Sequence, residues 1–145
     1  MRRPCPALLV ALLLTALTAC ALPDPPDGLD PLQGTWTVEA IEGTPVVTGP
    51  ADDAAPSLTF LADGSLSGHT GVNGLRGTWT SDGMTLDVPP LATTKRAGPP
   101  LLMDQERHLL TVLQRLAAAL VQGDQLILQD GDGQELLRLR AAGPR

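Results

Sequence analysis

The sequence predicts a mainly β domain, an antiparallel sheet carrying a single helix, and three observations predict it. Apolar and polar residues alternate in several short runs, the period of a half-buried strand. Asp-Gly pairs punctuate those runs at Asp63-Gly64, Asp82-Gly83 and the doubled Asp130-Gly131-Asp132-Gly133, where glycine supplies the positive φ that tight hairpins require. One stretch abandons the alternation for a spacing of three and four, the period of a helix.

At the N-terminus, Arg2 and Arg3 precede an apolar stretch over residues 7–17, the charged-then-apolar layout of an export signal. The stretch falls short of the about 20 apolar residues that a membrane-spanning helix needs. It closes on Leu17-Thr18-Ala19-Cys20, which matches the bacterial lipobox. Residues 1–19 therefore read as a lipoprotein signal peptide, and Cys20 as the residue that receives palmitate-type acyl chains. Each buried methylene contributes about 0.8 kcal/mol, so two or three chains would hold the protein firmly on a membrane. Ala21 follows the cysteine where an Asp would mark inner-membrane retention. That resembles lipoproteins sorted outward, to the periplasmic side of an outer membrane where the envelope has two membranes.

The next segment, ALPDPPDGLDP over residues 21–31, has too little apolar content to fold and reads as a semi-rigid spacer. Residues 20–31 are thus the lipidated, Pro- and Asp-rich tether, and residues 32–142 make one domain of ordinary size. Loss of residues 1–19 removes two arginines and no acids, leaving 8 Lys+Arg against 16 Asp+Glu, a net charge of −8. Nucleic acid is excluded as a partner by that balance. The acids are spread along the chain, as on a solvated surface. Cys5 lies in the signal and Cys20 takes the lipid, so the domain has no disulfide and depends on its apolar core.

Trp36, Val38 and Ala40 alternate with Thr35, Thr37 and Glu39, and Leu58 and Phe60 flank Thr59. Met84, Leu86 and Val88 alternate with Thr85 and Asp87, and Leu137 and Leu139 with Arg138 and Arg140. Joined by the Asp-Gly turns, these strands predict a hairpin meander. The tetrapeptide GTWT occurs at residues 34–37 and again at 77–80. Alternation puts both tryptophans inward, as large anchors at matching places in one curved sheet and not as carbohydrate-stacking platforms.

The helical stretch covers residues 101–121. Leu102, Leu109, Leu110, Leu113, Leu116, Ala117, Leu120 and Val121 fall on one arc, opposite Asp104, Arg107, His108, Thr111, Gln114 and Arg115. Pro99 and Pro100 precede it, and Gly123 is placed to cap its C-terminus. Glu106 falls inside the apolar arc. A buried carboxylate without partners costs several kcal/mol, so partners are required; Asn73, Arg76 and Arg96, in the loops that the helix would cover, are the candidates. The cluster reads as structural or ligand-binding.

These residues together resemble the META domain family of heat-shock-associated bacterial lipoproteins, the HslJ-like proteins. The likeness runs through GTWT, SLTFLADGSLSG from Ser57, TGVNGLRGTWT, PLATTKRAGPP, LMDQERHLL and GDQLILQDGDGQELLRL. It implies a strongly curved antiparallel sheet, or small open barrel, with a single helix packed across it. In the family the asparagine loop usually reads Gly-Cys-Asn and the later motif ends Ala-Cys-Pro, and those cysteines often pair. The matching positions here are Val72 and Gly98, so the resemblance implies that these two residues are spatial neighbours without the bond. The family's helix glutamate matches Glu106. No catalytic mechanism comes with the family.

Sites of chemistry are sparse. His69 could in principle activate Ser67, but nothing in the sequence orients the pair. Asp130, Asp132, Gln134 and Glu135 lack the glycine position and distant glutamate of a calcium loop and read as a hairpin turn. Zinc spacing and a phosphate-binding glycine loop are missing, so no cofactor is expected. The expected function is that of a non-catalytic, lipid-anchored cell-envelope protein on the extracytoplasmic side that binds or stabilises other envelope proteins under stress. The alternative is a carrier of a small apolar ligand in a barrel-like pocket. A filled interior would count against the carrier, and a hydrolase would need Ser67 and His69 in hydrogen-bond reach. The oligomeric state is left open.

Overall fold

The computed structural model of the protein describes residues 30–49 and 55–143; the export signal, Cys20 and nearly all of the tether lie outside the described residues. Eleven strands form one antiparallel sheet. They are β1 (Gly34–Ile41), β2 (Thr44–Pro45), β3 (Ser57–Phe60), β4 (Ser65–His69), β5 (Gly74–Thr78), β6 (Thr80–Asp82), β7 (Thr85–Asp87), β8 (Ala92–Thr93), β9 (Ala118–Gln122), β10 (Gln125–Gln129) and β11 (Glu135–Ala141). A single helix, α1 (Pro100–Leu113), comes between β8 and β9.

Across the sheet the order is β6-β7-β9-β10-β11-β1-β3-β4-β5-β8, with β2 paired to β1 off this path. The expected meander is only part of this topology. β3–β4–β5 and β9–β10–β11 are each meanders, but β1 stands between them and pairs with both β3 and the last strand, β11. Only Trp79 separates β5 from β6, yet these two strands stand towards opposite ends of the order. The sheet must therefore curl until its ends approach, and it forms a strongly curved half-barrel with one helix, the fold class expected.

Local chemistry sets the hairpins. Ile41 pairs with Thr44 across Glu42-Gly43, both at positive φ (45° and 78°), as a type I′ turn demands. Asp82 pairs with Thr85 across Gly83-Met84, and Gln125 with Gln122 across Gly123-Asp124, with positive φ at the glycine only, the pattern of type II′ turns. Asp130 Oδ1 accepts from the backbone N–H of Asp132 (3.0 Å) and Gln134 (2.9 Å). The acidic run is a hairpin turn, as its residues predict.

The concave side is filled. Trp36, Leu58, Phe60, Leu66, Leu75, Leu86, Leu109, Leu126, Leu128 and Leu139 are each no more than 1% exposed. Phe60 and Trp79 meet edge to face at 5.3 Å, and the two indoles are satisfied by backbone: Trp36 Nε1 donates to Leu32 O (2.8 Å) and Trp79 Nε1 to Leu61 O (3.1 Å). Both GTWT tryptophans are thus core anchors. They are not equivalent, because Trp36 lies within β1 and Trp79 at the break between two strands.

Two expectations are corrected. The helix ends at Leu113, and the residues from Ala118 enter β9, so Leu120 and Val121 belong to a strand, with Leu116 and Ala117 in the link before it. The apolar spacing continues past the helix end, but five residues of β9 pair with β10, and that ladder overrides local propensity. Gly123 accordingly turns a hairpin instead of capping a helix. Met84 does not share the inward phase of Leu86; it sits in the II′ turn, 65% exposed, because the two-residue loop ends the strand there.

Candidate functional site

Glu106 is the site's centre. On α1 it follows Leu102 and precedes Leu109 and Leu113 on the buried stripe, and it is 6% exposed. The loop between β4 and β5 supplies its partners. Asn73 Nδ2 lies 3.0 Å from each Glu106 carboxylate oxygen, and the Thr70 hydroxyl donates to Oε2. Asn73 Nδ2 also reaches Arg96 O (3.1 Å), while Asn73 Oδ1 accepts from Arg96 N (2.7 Å) and the Thr94 hydroxyl (2.7 Å). Thr70 Oγ1 in turn accepts from Asn73 N (2.9 Å) and Val72 N (3.3 Å).

The arrangement ties three segments at one point: helix, β4–β5 loop and the extended segment leading from β8 towards the helix. Every partner is neutral, and among the described residues no buried side-chain polar atom is left without one. That satisfaction is what makes a buried carboxylate tolerable. A second polar fastening lies one residue earlier, where the Gln105 amide pairs with the Val47 backbone (Nε2 to O 2.9 Å, N to Oε1 2.6 Å).

Of the residues singled out by sequence, Asn73 joins Glu106 through its side chain and Arg96 through its backbone only. Arg76 stands apart. It is exposed in β5, opposite Ser67 and Ala92, because Leu75 takes the inward phase of that strand. Thr70 was not foreseen, although period two from Leu66 places it on the inner phase. The Val72 side chain meets Gly98, with Cγ1 2.8 Å from where a Gly98 β-carbon would lie.

Other candidates show ordinary roles. His69 Nδ1 accepts from Gly71 N (3.0 Å), where Gly71 turns at φ 103°, and no hydrogen bond joins His69 to Ser67 among the described residues. No group of three or more His, Cys, Asp or Glu side chains among them could hold a metal ion.

The order GTWT, Asn73 loop, Glu106 helix and terminal hairpin is that of a known domain, and the family model of the META domain matches residues 30–143. The chain belongs to the META domain family. No curated protein matches it. In fold it is similar to an NMR structure of a protein from Burkholderia xenovorans (TM-score 0.60, 21% identity, covering 90% of this chain and 99% of that one). A second NMR structure is alike to the same degree (TM-score 0.60, 21% identity, 79% and 97%). A crystal structure of a DUF4847 family protein from Bacteroides vulgatus is similar to a lesser degree (TM-score 0.52, 20% identity, 79% and 95%). These three structures show a likeness of fold.

Proposed function

We propose that this META domain is a non-catalytic module of the cell envelope, held on the extracytoplasmic side by lipid at Cys20, that binds or stabilises other envelope proteins under stress. The observation that carries this reading is the closed inner side. Trp36, Phe60, Trp79, Leu109 and Leu113 fill it, and Glu106, the one buried carboxylate among the described residues, spends its oxygens on Asn73 and Thr70. The acidic surface favours solubility over self-association, and the Pro-rich tether gives the domain reach from the membrane. The filled interior weighs against a carrier that takes an apolar ligand into the barrel mouth.

Affinity capture of the tethered protein from intact envelopes, with and without heat or antibiotic stress, tests the proposal. Discrete envelope proteins enriched over an untagged control, more under stress, are the expected result. Recovery of the chain alone in both states would overturn it.

A further inference from the structure

Most described cations are neutralised. Arg107 meets Asp104, Arg115 meets Glu42 and Asp130, Arg138 meets Glu135, and Arg140 meets Glu39 and Asp124. Arg76, Lys95 and Arg96 meet no carboxylate among the described residues, and the fold gathers these three. Arg76 pairs with Ala92, Thr94 N donates to Gly74 O (3.0 Å), and Arg96 N donates to Asn73 (2.7 Å). The segment from β8 thus runs beside β5 with Lys95 and Arg96 at its end. On a chain of net charge −6, this is a local concentration of unpaired positive charge.

The same place is hollow. A cavity of about 570 Å³ is lined by Ser67, Gly68, Gly74–Arg76 and Ala92–Thr94, within the range of about 300–1,000 Å³ typical of small-molecule sites. Gly74 is what leaves it open. No positive φ requires a glycine there, and a β-carbon at Gly74 would find nothing nearer than Gly68 O at 4.0 Å. Glycine inside a strand weakens it and often marks a close approach by a ligand. Gly68 differs, since a β-carbon there would run into the Ser57 carbonyl.

We infer that this hollow binds a small organic anion, an oxyanion headgroup on a compact, flat apolar body. The Arg76 guanidinium offers a planar fork of donors that matches an oxyanion in bidentate fashion, and Ser67, directly opposite it in register, adds a hydroxyl donor. Gly68, Gly74 and Ala92 leave a floor without bulky side chains for the body. Lys95 and Arg96 supply a field that draws anions to this side of an acidic protein. The site is independent of the protein-binding reading, because it uses the outer face of the sheet and not the filled side.

Benzoate is the probe, with benzamide as its neutral counterpart and acetate as an anion without the body, titrated into the full-length chain in detergent micelles and followed by backbone amide NMR. Benzoate should shift the Gly68, Gly74 and Thr94 amides saturably, with benzamide and acetate each at least about tenfold weaker. Arg76→Gln should weaken benzoate about tenfold and leave benzamide unchanged. Gly74→Val, which places a branched side chain in the hollow with its β-carbon no nearer than 4.0 Å to Gly68 O, should abolish benzoate binding while the dispersed spectrum persists. Absence of saturable benzoate shifts, equal binding of the three probes, or unchanged affinity in either variant would each overturn the inference.

Discussion

Val72 packs its side chain into the space that a β-carbon on Gly98 would need: the two methyls lie 2.8 and 2.9 Å from that point and Val72 Cβ lies 3.4 Å from it. The pair closes the β4–β5 loop against the entry to α1 by contact alone. Gly98→Ala should therefore overpack the site and destabilise by about 1–3 kcal/mol, and Val72→Ala should relieve that loss when the two are combined. Disulfides hold their β-carbons about 3.5–4.5 Å apart, so a shift of a few tenths of an ångström from 3.4 Å admits a bond. Val72→Cys with Gly98→Cys should oxidise in air and gain roughly 3.5 kcal/mol over its reduced form for a loop of about 27 residues. Free thiols persisting in a folded double variant would contradict this geometry.

Glu106 gives a graded test of the polar fastening. Glu106→Gln keeps one acceptor for Asn73 but sets an amide against donors at the other position, a loss of about 1–2 kcal/mol by the usual worth of such bonds. Glu106→Leu removes both acceptors and leaves the Thr70 hydroxyl and one N–H of the Asn73 amide unpaired in the core, since Arg96 O can serve only the other N–H, at about 1–3 kcal/mol for each group left unpaired. Urea denaturation of the two variants should rank Leu well below Gln. Equal midpoints would mean that the helix docks by its leucines alone.

A residue's place is legible in the sequence where a single period governs it. Trp36, Val38, Leu58 and Phe60 follow period two within one strand, and Glu106 stands out because the helical wheel gives it no polar face. A residue's place is hidden where two periods agree locally. Residues 116–121 satisfy helical spacing, and only pairing with β10, contributed by residues 125–129, makes them a strand. Arg76 was misplaced beside Glu106 because the phase of β5 is set by Leu75, one apolar residue among glycines. Thr70 escaped notice because an inward hydroxyl carries no signal until its acceptor is known. The contact between Val72 and Gly98 came from family likeness, since neither residue type announces it.

Acid should weaken the fold through its surface turns. Hydrogen bonds from His108 and then Arg115 hold the Glu42 carboxyl below its ordinary value of 4.5. The Ser65 hydroxyl and backbone hold Asp63 below 3.8, and the backbone N–H of Gln134 is the chief cause of the same effect at Asp130. A depressed folded value means that the unfolded chain takes up protons first as pH falls. The stabilisation is complete above about pH 5 and is lost as pH drops through the 4.5 to 3.8 region and below. Melting temperature should be flat from neutral pH to about 5 and then decline. Arg115→Ala, which removes an exposed partner common to Glu42 and Asp130, should make that decline shallower; an unchanged profile would show that these pairs do not couple to folding.

The membrane anchor is the prediction on which the proposed location depends. Cys20 is the only cysteine left after cleavage at residue 19, and the chain it would tether carries a net charge of −8, which anionic lipid surfaces repel. Among the described residues no helix is long and apolar enough to cross a membrane. A single acyl chain binds only marginally, with an association constant of about 10⁴ M⁻¹, whereas two or more hold the protein durably. Cys20→Ser should abolish palmitate labelling and move the protein from the membrane to the soluble fraction, while the far-ultraviolet circular dichroism of the domain stays unchanged. Alkaline carbonate and high salt should leave the wild type on the membrane, since acyl anchoring is not electrostatic. A Cys20→Ser protein that still sediments with membranes and still incorporates palmitate would overturn the proposed lipid anchor, and with it the proposed envelope location.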